Sequence, residues 1–265
     1  MGKIKAFSLI QHKPSPKLAH LYPAIMEGFP NAAINSSEGH QVLWGLIGDN
    51  SIRTRGSNWS FVDMPYHGRL VGEDYDNSYW RWCYESLHDN RKLDVASDRF
   101  EQWNVELKPY QPEGDFILLC PSSETMTRYM FGVTQNRWIQ MMYDEIKKYT
   151  NKPIRVRLKP RKNGISGPQV ETVSMKEDLQ GCHALVTSAS LTSVEALIEG
   201  VPVFSPSPNY CPTAWATNID FSYLEKPFKY SREELFYNLA YKQYSIKEYA
   251  SGTAYKHIEK YLLQG

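Results

Sequence analysis

The stretch HALVTSASLTSVEALIEGVPVFSPS, residues 183–207, decides the fold class of this chain. An apolar run at 183–187 passes into a loop of small hydroxyl residues, after which apolar residues recur at helical spacing as far as Gly200. A second apolar run follows directly. A strand, a small-residue loop, a helix closed by glycine and another strand are typical of a parallel α/β sheet.

The same alternation extends in both directions along the chain. Strands are predicted at 3–10, 32–36, 40–48, 58–64, 115–123, 152–161, 183–188 and 201–206, and helices at 15–29, 78–88, 136–150, 174–181, 193–200, 231–245 and 246–263. The charged stretch 89–113 has the composition of a linker. The sequence therefore predicts an α/β protein with two Rossmann-like domains facing a cleft, 1–110 and 111–265, and a C-terminal helical tail.

Composition narrows the classes of function. The net charge is +1 over 265 residues, so charge alone gives no sign of a nucleic-acid partner. The four cysteines show neither metal nor disulfide spacing, which indicates buried thiols in a reducing compartment. No segment reaches the roughly 18–20 apolar residues of a membrane span, and the N-terminal apolar run is too short for a signal peptide. We expect a cytoplasmic protein with no membrane partner.

The hydroxyl residues at 187–193 stand where a strand turns into a helix, and ligands of parallel sheets bind outside the carboxyl ends of strands. Small residues and free N–H groups at a helix start favour a phosphate. Neither GxGxxG nor GKS/T is present here, so dinucleotide and P-loop ATP binding are not indicated. Glu195, near the helix start, suits a ribose diol as well as it suits the helix dipole.

The pattern S-x-x-S-V-E-A-L-I-E-G-V-P-V-F resembles the nucleotide-sugar half of GT-B glycosyltransferases and the related epimerases. From about residue 58 onward, the chain is also similar to glycosyltransferase-like proteins of tailed phages. The stretches that carry this resemblance are WSFVDMPYHGR, YWRW, ASDRFE, ILLCPSSE, RVRLKPR and LAYKQYSIKEYASG. Capsule-polysaccharide transferases share only the C-terminal segment.

The resemblance implies metal-independent sugar transfer from a nucleotide-sugar co-substrate, expected to be a UDP-sugar, with no further cofactor. Glu195 would contact the ribose. Ser190 and Ser193 would contact the donor phosphates, and Ser188 of the same loop would also bind the donor. Ser122 and Ser123 would lie where these folds open toward the donor. One departure concerns the phosphate loop, because the glycine pair common in the epimerases is replaced by Ser190-Leu191.

Arg157 and Lys159 alternate with apolar residues near the end of a predicted strand. Within the resemblance they would neutralise the leaving diphosphate. A solvated strand face explains the same alternation, and both interpretations stay open.

An inverting transfer also needs a base near the acceptor hydroxyl. Asp63 closes the predicted strand 58–64 and is the first candidate, with His67 second and His12 third. Asp63 as a turn-forming residue and His67 as a loop residue are the alternatives. Asp74-Tyr75-Asp76 has DxD spacing but lies in a polar loop, so no metal is expected.

The phage resemblance suggests double-stranded DNA as partner, with a hydroxymethylated pyrimidine as acceptor. The side chains that would grip phosphates or fill the gap of a flipped base are Arg53, Arg55, Arg69, Arg81, Trp59, Tyr79, Trp80 and Trp82. Core aromatics with surface arginines are the competing interpretation. A saccharide acceptor, which predicts an acidic-polar cleft in the first half, and a non-catalytic nucleotide-sugar-binding module are the alternative functions.

Overall fold

The computed structural model describes residues 4–68, 77–159 and 174–263. The chain divides into two compact units, the first Met1–Asn104 with Phe236–Gly265 and the second Val105–Leu235. Each unit has its own sheet with helices packed on it, which confirms the predicted α/β class with two Rossmann-like halves. Among the described residues, no helix is long and apolar enough to cross a membrane.

The elements of the first unit begin in the predicted order. They are β1 (Phe7–Leu9), α1 (Pro16–Gly28), β2 (Ala32–Ile34), β3 (His40–Trp44), α2 (Asn50–Arg53), β4 (Trp59–Asp63), β5 (Tyr79–Tyr84) and α3 (Asp98–Glu101). Helix α1 starts where predicted, with Ser15 in extended backbone before it. Proline at the first helical position is tolerated because its missing N–H would have no intrahelical partner there.

The second unit contains the segment 183–207. Its elements are β6 (Phe116–Cys120), α4 (Glu124–Phe131), α5 (Gln135–Ile146), β7 (Ile154–Val156), α6 (Met175–Asp178), β8 (Cys182–Thr187), α7 (Thr192–Ile198), β9 (Val203–Phe204), β10 (Thr217–Asn218) and α8 (Glu233–Ala240), the last of which crosses the unit boundary. The chain then returns to the first unit through β11 (Gln243–Ser245), α9 (Ile246–Ala250), α10 (Thr253–His257) and a final π-helical turn at Ile258–Leu262.

In the first unit, the described strands form a sheet in the order β11-β5-β4-β3-β1-β2. The pairs among β2, β1, β3 and β4 are parallel, whereas β5 is antiparallel to both of its neighbours. The predicted helix at 78–88 is therefore wrong. Trp80 and Trp82 are fully buried in the core of this unit, and an aromatic-rich segment with two strand partners favours the extended state over the helix.

In the second unit, the order is β10-β9-β8-β6-β7 and every described pair is parallel. Strands β6 and β8 are buried along their whole length, as is typical of a sheet covered on both faces. Trp138, Met142 and Ile146 of α5 pack in this core, whereas Met141 of the same helix is exposed.

The C-terminal segment lies with the first unit, whereas the sequence-based division placed it with the second. Three contacts hold it there. Strand β11 pairs with β5, the Tyr249 hydroxyl donates to the carbonyl of Trp80 at 3.2 Å, and Gly28 of α1 lies directly against the carbonyl of Tyr249. The helical periodicity of this segment shows that it has an apolar face to bury, but it does not show which of the two sheets that face packs against.

Candidate functional site

The sheet of the second unit has a topological switch point between β6 and β8. In the order of appearance along the chain, its strands are arranged 5-4-3-1-2, and crossovers leave the two central strands β6 and β8 in opposite directions across the sheet. Ligands of such sheets bind outside the carboxyl ends of the strands at this point. The loops that follow β6 and β8, residues 121–123 and 188–191, carry the predicted serines, so the structure brings those serines to one edge. We call residues 121–123 and 187–193 the hydroxyl edge.

Ser122 and Ser188 lock the two loops of the hydroxyl edge together. Their hydroxyl oxygens lie 2.8 Å apart, and the backbone N–H of Ala189 donates to the Ser122 hydroxyl at 3.0 Å. The Thr187 hydroxyl donates to the carbonyl of Cys120 at 2.6 Å, which adds a further tie between the strands. Ser122 and Ser188 are both buried, so their hydroxyls hold the two loops together and are not exposed to a ligand.

Ser190 and Leu191, in the loop after β8, are half-buried. The buried Ser193 hydroxyl donates to the carbonyl of Ser190 at 3.0 Å, and this bond tightens the turn into α7. Within the described part of the chain, the backbone N–H groups of Ser190 and Leu191 donate to no acceptor. Two adjacent uncommitted N–H groups at a loop are available as donors to an anion, even without the glycine pair of the epimerases.

Glu195 lies in the first turn of α7 and is exposed, while its neighbours Val194 and Ala196 are buried in the core. The hydroxyl of Ser123 accepts a hydrogen bond from the backbone N–H of Met126 as the N-cap of α4. Exposure makes the Glu195 carboxylate accessible to a ligand.

Arg157 and Lys159 both follow β7, because this strand ends at Val156 and the predicted strand 152–161 is shorter than expected. The N–H of Arg157 still donates to the carbonyl of Leu119 at 2.9 Å, which aligns it with the end of β6. Its guanidinium forms an ion pair with Asp178 of α6. Lys159 is exposed.

The electrostatic environment of the Cys120 thiol shows that Arg157 and Glu195 lie near the same end of β6. Burial raises the pKa of this thiol to about 12, a hydrogen bond with Thr192 and the charge of Arg157 act in the opposite direction, and the charge of Glu195 adds to the rise. Arg157 and Glu195 therefore both lie within electrostatic range of the last residue of β6. Because the thiol stays protonated, Cys120 is unreactive. The charged groups available to a ligand near this strand end are therefore those of Arg157 and Glu195.

The first unit has a switch point of its own, between β1 and β3. His12 follows β1, and its Nε2 lies 2.9 Å from Oδ1 of Asn50 and 3.2 Å from Oδ1 of Asp49, both in the segment after β3. Sequence reasoning ranked His12 third and missed Asp49 and Asn50. The available signal was the apolar strand followed by Gly48-Asp49-Asn50, the same strand-loop-helix pattern that identified the hydroxyl edge.

Asp63 ends β4, as predicted, and is one strand further from this switch point. Its Oδ2 lies 3.1 Å from Nη2 of the buried Arg81, and its Oδ1 accepts from the N–H of Met64 at 2.8 Å. His67 stacks on Trp103 with ring centroids 5.0 Å apart, and burial lowers its pKa. Both have structural partners, and a catalytic role for either remains a prediction.

Among the described residues, the side chains predicted to grip DNA do not form a basic or aromatic surface. Trp59, Trp80 and Trp82 are buried, which excludes stacking on a flipped base in this conformation. Arg81 is buried in its ion pair with Asp63. Arg53 pairs with Asp49 at 2.9 Å, and Arg55 is exposed while Tyr79 is half-buried. Arg69 and the DxD-like Asp74 and Asp76 lie outside the described residues.

No three His, Cys, Asp or Glu side chains come together as potential metal ligands within residues 4–68, 77–159 and 174–263. All four cysteines are unpaired by disulfides and buried, as predicted.

Two Rossmann-like units in one chain place this protein in the α/β class with a GT-B-like fold. Among solved structures, it is similar to KpsC of Thermosulfurimonas dismutans. For the beta Kdo 2,7 transferase the TM-score is 0.54 at 12% identity, with 95% of this chain and 99% of that chain covered. For the beta Kdo 2,4 transferase the TM-score is 0.51 at 10% identity, with 91% and 92% covered. No protein-family model matches the sequence, and no curated protein matches it either.

Proposed function

We propose that the protein is a glycosyltransferase that binds a nucleotide-sugar donor, with a UDP-sugar as the first choice, at the hydroxyl edge of its second unit. The observation that carries this proposal is the meeting of two small-residue loops at the β6/β8 switch point, with the N–H groups of Ser190 and Leu191 uncommitted. The similar solved structures named as Kdo transferases support a sugar-transfer activity.

Each polar or charged group named at the hydroxyl edge has a role in the proposed function. The N–H groups of Ser190 and Leu191 bind the diphosphate, and Arg157 compensates the charge that develops on it as the sugar departs. The Arg157–Asp178 ion pair holds the guanidinium beside β6 until the donor arrives. Glu195 accepts hydrogen bonds from the ribose diol, and Lys159 adds positive charge after β7. The buried hydroxyls of Ser122, Ser188 and Ser193 keep the loops in shape.

Calorimetric titration of the full chain with UDP-, GDP- and CMP-sugars tests donor binding. We expect one class to bind, and Glu195→Gln or Arg157→Gln to weaken that binding about 10- to 100-fold, the range of a lost hydrogen bond to a charged group. Glu145→Gln and Arg137→Gln, on α5, are the matched controls. Equal affinity in wild type and both site variants would reject the assignment of the edge, and absence of any donor binding would reject the function.

Transfer is measured in the same samples by mass spectrometry with two acceptor classes, neutral saccharides and duplex DNA that carries hydroxymethylated pyrimidines. Sugar transfer to DNA would support the acceptor suggested by the phage resemblance. Release of free sugar or transfer to either acceptor would exclude a non-catalytic binding module.

A further inference from the structure

The second unit exposes a cluster of large apolar side chains between β10 and α8. Among the described residues, twelve large apolar side chains are exposed, and four of them fall within 219–230. We call these four the aromatic patch: Ile219, Tyr223, Phe228 and Tyr230, with exposed fractions of 63%, 45%, 50% and 37%. If a fully exposed side chain of this size offers roughly 200 Å², the patch covers roughly 400 Å², the size of surface patches that mark interaction sites.

The backbone beneath the aromatic patch is held by hydrogen bonds within the second unit. Asn218, the last residue of β10, is buried, and its side-chain amide pairs with the backbone of Phe228. Oδ1 accepts from the Phe228 N–H at 3.0 Å, and Nδ2 donates to the Phe228 carbonyl at 3.2 Å. The Tyr110 hydroxyl donates to the carbonyl of Tyr230 at 2.9 Å. A partner therefore meets rings on an ordered backbone, which lowers the entropy cost of binding.

The three rings of the aromatic patch are tilted against one another. The centroids of Tyr223 and Phe228 are 4.6 Å apart with 50° between the ring planes, and those of Phe228 and Tyr230 are 6.2 Å apart with 45° between the planes. Tilted rings do not present the single flat face on which a sugar ring stacks. They form an uneven surface, and the side chains of a protein partner can fill its gaps.

Exposed charges of both signs lie in the same segment of the chain. We call them the charged rim: Asp220, Glu225, Lys226 and Lys229. Two negative and two positive charges balance, whereas binding to an anionic lipid surface depends on an excess of Lys and Arg. A surface with both signs is complementary to itself, because a two-fold axis can bring the carboxylates of one copy against the lysines of the other.

We propose that the aromatic patch and the charged rim join two copies of this chain in a two-fold symmetric dimer. Rings at the centre with charges around them match the anatomy of protein interfaces. A standard interface takes about 800 Å² from each partner, so the patch supplies roughly half of this area and the rim the rest. For an interface of this size we expect a dissociation constant of about 1 to 100 μM. The inference does not depend on the proposed glycosyltransferase function.

Sedimentation velocity of the full chain, from about 1 to 200 μM, tests the dimer. We expect the mass to rise with concentration from 30.6 kDa toward twice that value. Phe228→Ser removes the central ring but keeps the backbone bonds to Asn218, and should weaken association at least about 10-fold. Met141→Ser, at an exposed apolar position on α5, is the matched control. A wild type that is monomeric throughout, or equal association in Phe228→Ser, would overturn the proposal.

Charge reversal tests the pairing across the two-fold axis. Glu225→Lys leaves the charged rim with three positive charges and one negative charge, and Lys226→Glu leaves it with the opposite balance. Each variant alone should associate more weakly than wild type, because like charges then face one another. An equimolar mixture of the two variants should regain association as a heterodimer. A mixture that associates no better than either variant alone would contradict the proposed symmetry.

Lipid and saccharide are the other occupants that an exposed aromatic surface could have. Flotation with vesicles of phosphatidylcholine and phosphatidylserine, and saturation-transfer NMR with methyl glycosides of neutral hexoses, are carried out on wild type and Phe228→Ser. We expect no binding of either probe that depends on Phe228. Binding that is present in a monomeric wild type and lost in Phe228→Ser would make the patch a lipid or saccharide site and overturn the proposal.

Discussion

His40 makes the first unit sensitive to mild acid. The side chain is 1% exposed, with Nδ1 at 3.0 Å from Oδ1 of Asn58 and Nε2 at 2.8 Å from the Ser60 hydroxyl. Its ring stacks on Tyr84 at 5.6 Å. Burial lowers the pKa of His40 from 6.5 to about 4, although the Asn58 hydrogen bond and the charge of Glu85 act in the opposite direction. The folded state therefore holds this ring neutral.

The magnitude follows from proton linkage. Between pH 6.5 and 4 the unfolded state binds a proton at this residue that the folded state excludes, so stability is full above 6.5 and falls as the pH falls toward 4. For those two pKa values, the loss is about 2 kcal/mol at pH 5 and about 3 kcal/mol at pH 4.

Urea unfolding of wild type and His40→Gln, followed by tryptophan fluorescence across this pH range, isolates the contribution of His40. The variant lacks this proton-binding group, so the free energy of unfolding of the wild type should fall by about 3 kcal/mol more than that of the variant between neutral pH and pH 4. Parallel pH curves for the two proteins would show that the ring is not held neutral, and the reasoning would be refuted.

Three further substitutions test the contacts that shape each unit. Gly28→Ala should destabilise the first unit by about 3 kcal/mol or more, because the new Cβ would lie 1.9 Å from the carbonyl oxygen of Tyr249. Arg99→Leu should cost about 3–5 kcal/mol, since it leaves the half-buried Glu248 carboxylate without its ion-pair partner. Ser122→Val should cost about 1–3 kcal/mol and weaken donor binding, because it removes a buried acceptor that joins the two loops of the hydroxyl edge. Urea denaturation measures all three.

Arg55→Leu, at an exposed position, is the control for the arginine substitution and should change stability by less than about 0.5 kcal/mol. A Gly28→Ala protein as stable as wild type would show that the C-terminal segment does not pack closely on α1. Unchanged stability in Arg99→Leu or Ser122→Val would show that the corresponding buried bonds are replaced by water.

The local patterns in the sequence predicted most of the fold. Short continuous apolar runs located β1, β3, β4, β6 and β8, because a strand that is buried in a parallel sheet is apolar on both faces. The segment 78–88 was misassigned because its polar and aromatic residues also fit a helical face, and its strand partners lie far away in the sequence. The position of the C-terminal helices depends on contacts such as Gly28 against Tyr249, which no local pattern records.

The candidate site was predictable in one unit and not in the other. Hydroxyl residues after a strand identified the edge at 187–193. The sequence could not show that the hydroxyls of Ser122, Ser188 and Ser193 form hydrogen bonds within the protein. The pair of His12 and Asp49 joins residues that follow two different strands. That juxtaposition arises only when β1 and β3 pair side by side in the sheet.

The central claim is that an activated sugar binds through its diphosphate at the hydroxyl edge of the second unit. A crystal structure of the full chain soaked with the best-binding UDP-sugar tests this most directly. The account predicts phosphate oxygens within hydrogen-bond distance of the N–H groups of Ser190 and Leu191, with the ribose beside Glu195. Nucleotide density anywhere else, with those N–H groups still unoccupied, would contradict it.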